Sequence, residues 1–153
     1  MLVGVISDTH GLMRPQALEA LHGSNIIIHA GDVGAPDVLE ALAAIAPVFA
    51  VRGNIDAQPW AKRLPETATV QAAAHKCYVL HDVAQLAIDP VRAGFAAVIF
   101  GHSHKPLIET RNGILYLNPG SAGPRRFHLP ICLARIVVSE QSLAPSLVRL
   151  SAS

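Results

Sequence analysis

The segment LVGVISDTHG, residues 2–11, opens with an apolar, β-branched run and turns polar at Ser7. A short apolar run of this kind is typical of a buried strand, here residues 2–7. Two similar runs follow, NIIIH at 25–29 and PVFAV at 47–51, and each is soon followed by a glycine and a polar residue. These three runs predict three buried strands.

Helical patterns separate the three strands. Pro15 opens the stretch PQALEALHG, which ends at Gly23, and Pro36 opens the stretch PDVLEALAAIA. Proline is favoured in the first turn of a helix, and glycine is a common helix stop. A β-α-β-α-β series implies parallel strands joined by right-handed crossovers, so the first third of the chain predicts an α/β fold.

The second half of the chain has a mostly β pattern. The predicted elements are strands at 67–73, 76–80 and 96–100, a short helix at 84–93, a hairpin of 107–111 and 114–117, and a closing antiparallel pair at 131–138 and 143–150. Asn112-Gly113 suits the tight type I′ turn of such a hairpin. We therefore expect two packed sheets with flanking helices, in a single domain over residues 1–153.

Composition and charge exclude several classes of protein. Of the 153 residues, 51% are hydrophobic and 15% are charged, and the net charge is +1. So weak a charge predicts no binding of long nucleic acids or of an anionic membrane surface. The apolar, weakly charged composition leans towards a homodimer.

The apolar runs and the first residues of the sequence bear on the cellular location of the protein. No run approaches the ~20 apolar residues that span a bilayer, and the first residues lack the basic start and long apolar centre of a signal peptide. We therefore expect a cytoplasmic protein. Cys77 and Cys132 lie in apolar, strand-like runs and are expected to be buried free thiols.

Polar side chains cluster where the predicted strands end. The candidates are Asp8, His10, Asp32, Asn54, His81, His102 and His104. In open α/β sheets, ligands bind beyond the carboxyl ends of the strands, where loops from different strands converge. We therefore expect these seven side chains to meet at one site.

The chemical types in this set point to metal ions. Imidazole nitrogens with carboxylate and amide oxygens suit borderline divalent metals such as Mn, Fe, Zn or Ni. Two ions ~3.5–4 Å apart can bind a phosphoryl oxygen and lower the pKa of a bridging water, and Asp32 is the central candidate for a bridging carboxylate. Taken singly, Asp32 also suits a helix N-cap, Asn54 a left-handed turn and His81 a structural role. The five motifs together, each after a strand signal, favour the metal site.

Six stretches carry a resemblance to a known family. They are ISDTHG (6–11), HAGDV (29–33), VRGNID (51–56), LHD (80–82), FGHSHKP (100–106) and NPGSAGPRR (118–126). In this order they resemble the calcineurin-like metallophosphoesterase superfamily, above all its small YfcE-type phosphodiesterase branch, which includes the Vps29 fold. The resemblance implies a two-sheet αββα sandwich with a dinuclear metal site.

The resemblance also implies a role for each candidate. The implied ligands are Asp8, His10 and His104 for the first metal and Asn54, His81 and His102 for the second, with Asp32 bridging the two. A metal-bridging hydroxide would attack the phosphorus of a small phosphate ester, in the first place a phosphodiester. The implied catalytic set is Asp32, Asn54 and His81. Manganese is the preferred ion, with Ni, Zn, Fe and Mg as alternatives.

Two non-enzymatic alternatives remain open. One is a catalytically silent, metal-binding scaffold on the same fold that recruits protein partners, and the other is a sensor module. Because all seven ligand positions carry the expected residue types, the sequence favours the enzyme.

The chain departs from the family pattern at two positions. Asp82 follows His81, where the family usually has glycine, which places the affinity of the second metal in question. Ile55 stands where larger members carry a histidine and this branch commonly a cysteine. Since isoleucine cannot donate a proton to a leaving group, Asp56 or a metal-bound water would have to do so.

Overall fold

The computed structural model describes residues 1–150, and residues 151–153, the end of the expected domain, lie outside the described part. The strands and α-helices are β1 Leu2–Ile6, α1 Pro15–Leu21, β2 Ile26–His29, α2 Pro36–Ala43, β3 Val48–Ala50, β4 Thr67–Ala72, β5 His75–Leu80, β6 Ala97–Ile99, β7 Leu107–Arg111, β8 Ile114–Asn118, β9 Cys132–Val138 and β10 Leu143–Arg149. Two 3₁₀ helices, Pro59–Arg63 and Val83–Gln85, are the other regular elements of residues 1–150.

The strands form two mixed five-stranded sheets. Sheet A has the strand order β10-β9-β1-β2-β3, and sheet B has the order β4-β5-β6-β8-β7. In sheet A, β1, β2 and β3 run parallel, while β9 and β10 extend the sheet antiparallel. In sheet B, β5, β6 and β8 run parallel, while β4 and β7 close its two edges antiparallel.

The alternation of side chains along β1 shows how the layers form. Val3 and Val5 face the core between the two sheets, while Ile6 faces the helices. Leu21 of α1 and Leu42 of α2 are fully buried against the same outer face of sheet A. The two-sheet sandwich expected from the sequence is confirmed.

The outer face of sheet B is covered differently, because no α-helix lies on it among the described residues. Val83 and Leu86, in the segment that follows β5, pack there against Val98 and Tyr116. The predicted helix at 84–93 is therefore wrong.

The physical reason lies in the polar residues and the proline of that segment. Asp82 caps a single 3₁₀ turn, since its Oδ1 accepts the N–H of Ala84 at 3.0 Å. Further along, Asp89 Oδ1 accepts the N–H of Val91 at 3.1 Å. Pro90, between Asp89 and Val91, has no N–H to donate to a helix. Local caps and turns thus replace the helical hydrogen bonds.

All the predicted strands are confirmed to within one residue at each end. Asn112 and Gly113 both have positive φ, 51° and 78°, as the predicted type I′ hairpin turn requires. Cys77 and Cys132 are free and buried, as expected. No helix within residues 1–150 has the length and apolar character needed to cross a bilayer.

Candidate metal centre

Loops that follow five strands supply the candidate side chains. The loops after β1, β2, β3, β5 and β6 carry, in turn, Asp8 and His10, Asp32, Asn54, His81, and His102 and His104. Parallel strands end at one edge of their sheet, and the packing of sheet A on sheet B brings the two sets of loops together.

The first group consists of Asp8, His10 and His104, which offer one ligand atom each within 4.8 Å of one another. Asp8 Oδ1 lies 3.5 Å from His104 Nε2 and 4.0 Å from His10 Nε2. The two imidazole rings are 5.4 Å apart between centroids. These are the three side chains that the resemblance assigns to the first metal.

The second group consists of Asp8, Asp32 and His81. His81 Nε2 lies 3.3 Å from Asp32 Oδ2 and 3.8 Å from Asp8 Oδ1. The same Asp32 Oδ2 is 3.4 Å from His10 Nε2. Asp32 thus lies between one histidine of each expected metal site, while Asp8 belongs to both groups. The bridging role of Asp32 stays a prediction.

Asn54 and His102 lie further out, and both are exposed. The His102 ring packs edge-on against His81, with centroids 5.2 Å apart. Asn54, His81 and His102 line one cavity beside the second group. The structure therefore places these two candidates next to His81 but outside the buried cluster.

The backbone at the site is unusual. Five of the seven candidates have positive φ, namely Asp8 at 57°, His10 at 48°, Asp32 at 56°, His102 at 74° and His104 at 63°. Within residues 1–150 only three other non-glycine residues have positive φ. This conformation is uncommon for residues with a side chain and costs about 1–3 kcal/mol each where it is strained. Its concentration here indicates that the surrounding packing holds the ligand loops in place.

Hydrogen bonds on one side of Asp8 leave its other oxygen free. Asp8 Oδ2 accepts the Ser7 hydroxyl at 2.8 Å and the N–H of His102 at 3.2 Å. A Cβ at Gly101 would lie 2.6 Å from the same oxygen, so only glycine lets the β6 loop approach this closely. Asp8 Oδ1 is buried without a hydrogen-bond partner.

His81 is oriented in a similar way. Its Nδ1–H donates to the carbonyl of Ala30 at 2.8 Å, which directs Nε2 towards the two carboxylates. Nε2 is buried and has no hydrogen-bond partner. A backbone acceptor on one imidazole nitrogen is the usual device for fixing a metal-binding histidine.

The pKa values of the second group reflect its packed charges. Burial, ahead of the opposing effect of His81, raises the pKa of Asp8 to about 6. Burial, the largest single effect, would raise the pKa of Asp32 as well, but His81, the Ile55 N–H and His10 together outweigh it and the pKa is lowered. Conversely, burial, the largest single effect, would lower the pKa of His81, but Asp32, Asp8 and the Ala30 carbonyl together outweigh it and the pKa is raised.

The two histidines of the first group behave differently. Burial, followed by the charge of Arg126, lowers the pKa of His104 to about 4. Burial also lowers the pKa of His10, against the attraction of Asp32. Both rings are therefore neutral at pH 7, which is the form that binds a metal ion.

The residues fit divalent ions. Asp8 Oδ1, His10 Nε2 and His81 Nε2 are buried, lack hydrogen-bond partners and face one another across a small space. Buried polar atoms without partners are costly, and a cation among them would satisfy all three. The mixture of imidazole and carboxylate suits borderline transition metals.

His29, the last residue of β2, is fully buried and hydrogen-bonds through both ring nitrogens. Its Nδ1 accepts the N–H of Gly31 at 3.1 Å, and its Nε2 lies 3.0 Å from Thr9 Oγ1. The Thr9 hydroxyl donates its one hydrogen to the carbonyl of Val33 at 2.8 Å. His29 Nε2–H must therefore donate to Thr9, which joins the two ligand loops after β1 and β2.

Asp56 joins the loop after β2 to the loop after β3. Its carboxylate accepts the N–H groups of Val33 at 3.1 Å, Gly34 at 3.0 Å and Gly53 at 2.9 Å. It is 2% exposed. A carboxylate that accepts three N–H donors serves as a fixed acceptor, which argues against Asp56 as the proton donor considered from the sequence. In the sequence, the only indication that Asp56 belongs to the site is its position at the end of the VRGNID stretch.

Asn118 supports the His102–His104 loop from β8. Its Nδ2 donates to the carbonyl of Gly101 and to Ser103 Oγ, each at 3.1 Å, and its Oδ1 accepts the N–H of Gly120. Ser121, in the same NPGSAGPRR stretch, donates its hydroxyl to the carbonyl of Asp8 at 3.0 Å. This stretch therefore connects the loops that carry ligands in both sheets.

Comparisons with known proteins show the family of this chain. The family model described as the calcineurin-like phosphoesterase superfamily domain matches residues 1–141. The chain belongs to this superfamily. A probable metallophosphoesterase of Methanothermobacter thermautotrophicus is 35% identical over 133 residues, which cover 79% of this chain and 77% of that protein.

Solved structures of two further proteins share the fold. An archaeal phosphodiesterase has a TM-score of 0.79 at 21% identity, with 97% of this chain and 100% of that chain covered. Vps29 of Entamoeba histolytica, solved with zinc, has a TM-score of 0.75 at 24% identity, with 97% and 99% covered. At these identities the likeness establishes the fold alone.

Proposed function

We propose that this metallophosphoesterase is a phosphodiesterase that binds two divalent ions around Asp8 and Asp32 and hydrolyses a small phosphate ester. The observation that carries the proposal is the set of buried ligand atoms without partners, Asp8 Oδ1, His10 Nε2 and His81 Nε2. Membership of the superfamily and the fold shared with an archaeal phosphodiesterase support it.

Each part of the site has a task in this proposal. Asp8, His10 and His104 would hold one ion, and His81 with the outer residues Asn54 and His102 would hold the other, on either side of Asp32. Two ions, when bound, would supply positive charge for the phosphoryl oxygens and lower the pKa of a water. The chain orients these ligands beforehand through Ser7, Ala30 and Asn118.

Metal reconstitution tests the proposal directly. The protein is stripped of metal, and Mn, Ni, Zn or Mg is added back singly while hydrolysis of bis(p-nitrophenyl) phosphate and p-nitrophenyl phosphate is followed. We expect metal-dependent turnover, faster on the diester. Asp32→Ala should lower kcat/KM by at least ~10²-fold, because the ions that would stabilise charge in the transition state lose a ligand.

The matched control is Asp37→Ala, at an exposed carboxylate in the first turn of α2, which should keep wild-type turnover. If the folded wild-type protein shows no turnover with any of the four metals, the enzyme proposal fails. The scaffold on the same fold would then be the better description.

A further inference from the structure

A cavity of about 500 Å³ opens beside His81, on the outer face of sheet B. Its inner end is formed by Asn54, His81 and His102, and its outer walls include Arg52, Thr67 and Gln85. The volume lies within the range of small-molecule sites in proteins. None of the outer-wall residues belongs to the metal-ligand set, so the cavity extends the candidate centre rather than repeating it.

The cavity is continuous with the reaction centre through His81. This histidine lines the cavity, and its Nε2 lies 3.3 Å from Asp32 Oδ2. A phosphoryl group held by ions near Asp32 would therefore place one of its ester substituents at the cavity's inner end. A phosphodiester has two such substituents and a monoester has one.

The walls define the chemistry of the substituent. Arg52 is paired with Glu66 at 3.2 Å, so its charge is largely compensated. Asp82 adds a further negative charge to the lining. The charged side chains of the wall therefore sum to about one negative charge, which disfavours an anionic substituent.

The remaining wall offers a flat surface and neutral hydrogen-bonding groups. The Tyr78 ring packs edge-on against Phe95, with centroids 5.2 Å apart, and forms a fixed side of the cavity. Thr67 and Gln85 provide a hydroxyl and an amide, and both are exposed. An aromatic surface with a few polar groups is typical of a site for an organic ligand.

We propose that this cavity binds an uncharged or cationic alcohol group of a phosphodiester substrate, beside the bound phosphoryl group. The inference rests on the proposed function and names the part of the substrate that the site selects. Thr67, Tyr78 and Gln85 are the specificity-determining residues.

Filling the cavity tests the position of the alcohol group. Thr67→Trp places a large side chain in the wall, and Gln71→Trp is the control, on the same exposed face of β4 but outside the cavity. The substrates are thymidine 5′-(p-nitrophenyl phosphate) and p-nitrophenyl phosphate. We expect Thr67→Trp to lower the diester-to-monoester ratio of kcat/KM about tenfold or more, on the scale of steric discrimination in pockets. The control should keep the wild-type ratio.

Adding a charge of either sign at Gln85 tests whether the cavity favours a cationic alcohol group. p-Nitrophenyl phosphorylcholine carries a cationic alcohol, and thymidine 5′-(p-nitrophenyl phosphate) a neutral one. We expect Gln85→Lys to lower the choline-to-thymidine ratio of kcat/KM about fivefold and Gln85→Glu to raise it, because the added charge repels or attracts the cationic group.

The outcomes separate the two proposals. If the wild-type protein turns over but Thr67→Trp affects diester and monoester equally, or if the Gln85 variants leave the choline-to-thymidine ratio unchanged, the cavity inference is overturned while the phosphodiesterase stands. If the folded wild-type protein turns over no substrate with any metal, both fail.

Discussion

His29 is a single buried residue whose side chain links the loops after β1 and β2. It is fully buried, accepts the N–H of Gly31 and donates to Thr9, so both of its nitrogens are occupied in the neutral form. An imidazolium could not accept from Gly31. Accordingly, burial lowers the pKa of His29 to about 3.

We expect His29→Phe to weaken metal binding about tenfold, since partners that orient a ligand shell typically contribute 10–100-fold. The phenyl ring keeps the volume but leaves the Gly31 N–H without an acceptor. Titration of metal-free protein with Zn or Mn in a calorimeter measures the affinity. His22→Phe, at an exposed histidine, is the matched control.

His29→Gln should recover part of the lost affinity, because its amide can still donate towards Thr9. An unchanged metal affinity in His29→Phe would show that the two loops hold their positions without this link.

Ile55 gives a second prediction at the scale of one residue. Its N–H donates to Asp32 Oδ1 at 3.1 Å, but its side chain has no proton to give a leaving group. General acid catalysis contributes roughly 10²–10⁴-fold, so we expect aryl phosphodiesters to be hydrolysed far faster than alkyl ones. Rates on bis(p-nitrophenyl) phosphate and dimethyl phosphate under one metal provide the comparison. Equal rates on the two esters would require an acid that the structure does not identify.

At the scale of elements, the three ligand-bearing loops of sheet A are joined in two ways. Backbone hydrogen bonds connect the loops after β1 and β2, among them His10 N–H to the carbonyl of Asp32 at 2.9 Å. Side-chain carboxylates connect the loops after β2 and β3. Asp56 is the main connection between the second and third loops, through its three N–H donors. Both loops carry metal-ligand candidates. We therefore expect the geometry of the proposed second metal site to depend on Asp56, although its carboxylate bonds to backbone N–H groups and to no candidate ligand side chain.

Asp56→Asn should lower the free energy of unfolding by about 1–3 kcal/mol, because one amide oxygen cannot serve three buried donors and the NH₂ group faces N–H groups. Urea unfolding of the metal-free protein measures the change. The control is Asp89→Asn, an exposed carboxylate that also accepts two backbone N–H groups. If Asp89→Asn lowers the free energy of unfolding as much as Asp56→Asn does, the burial of Asp56 does not increase the contribution of its hydrogen bonds to stability.

At the scale of the whole molecule, the buried histidines link stability to pH. His29 and His104 have pKa values of about 3 and about 4 in the folded protein, below the ordinary 6.5. At these two residues the unfolded chain therefore binds more protons than the folded protein below pH 6.5. They destabilise the fold as the pH falls from 6.5 towards 4. The raised pKa of Asp8, about 6, acts in the opposite direction.

We expect the free energy of unfolding of metal-free protein to fall less steeply with decreasing pH in His29→Gln than in the wild type. The difference in slope between pH 6 and pH 4 should approach about 1.4 kcal/mol per pH unit, the value for one proton. Urea unfolding in a chelator at several pH values provides both slopes. If the free energies of unfolding of the two proteins change with pH in parallel, His29 takes up a proton in the folded state as readily as in the unfolded chain.

The sequence by itself determined the strands, the starts of α1 and α2, the hairpin and the types of ligand residue. These features depend on local patterns, namely buried apolar runs, proline at a helix start and Asn-Gly in a turn. The family resemblance added the sandwich and the expected metal ligands. The segment at 84–93 was predicted wrongly, because the Asp89 side chain accepts the N–H of Val91, which a helix would direct to the carbonyl of Ala87, and Pro90 has no N–H to donate.

Only the tertiary structure decided which of these residues meet and which side chains hold them. Asp8 and His104 are far apart in the chain, and their approach to 3.5 Å results from packing sheet A on sheet B. The roles of His29 and Asp56 likewise depend on contacts between loops of different strands, which no local pattern encodes. The cavity beside His81 also depends on tertiary packing, because its lining brings Asp82 and Gln85 of the segment after β5 together with Arg52 and Thr67 from distant parts of the chain.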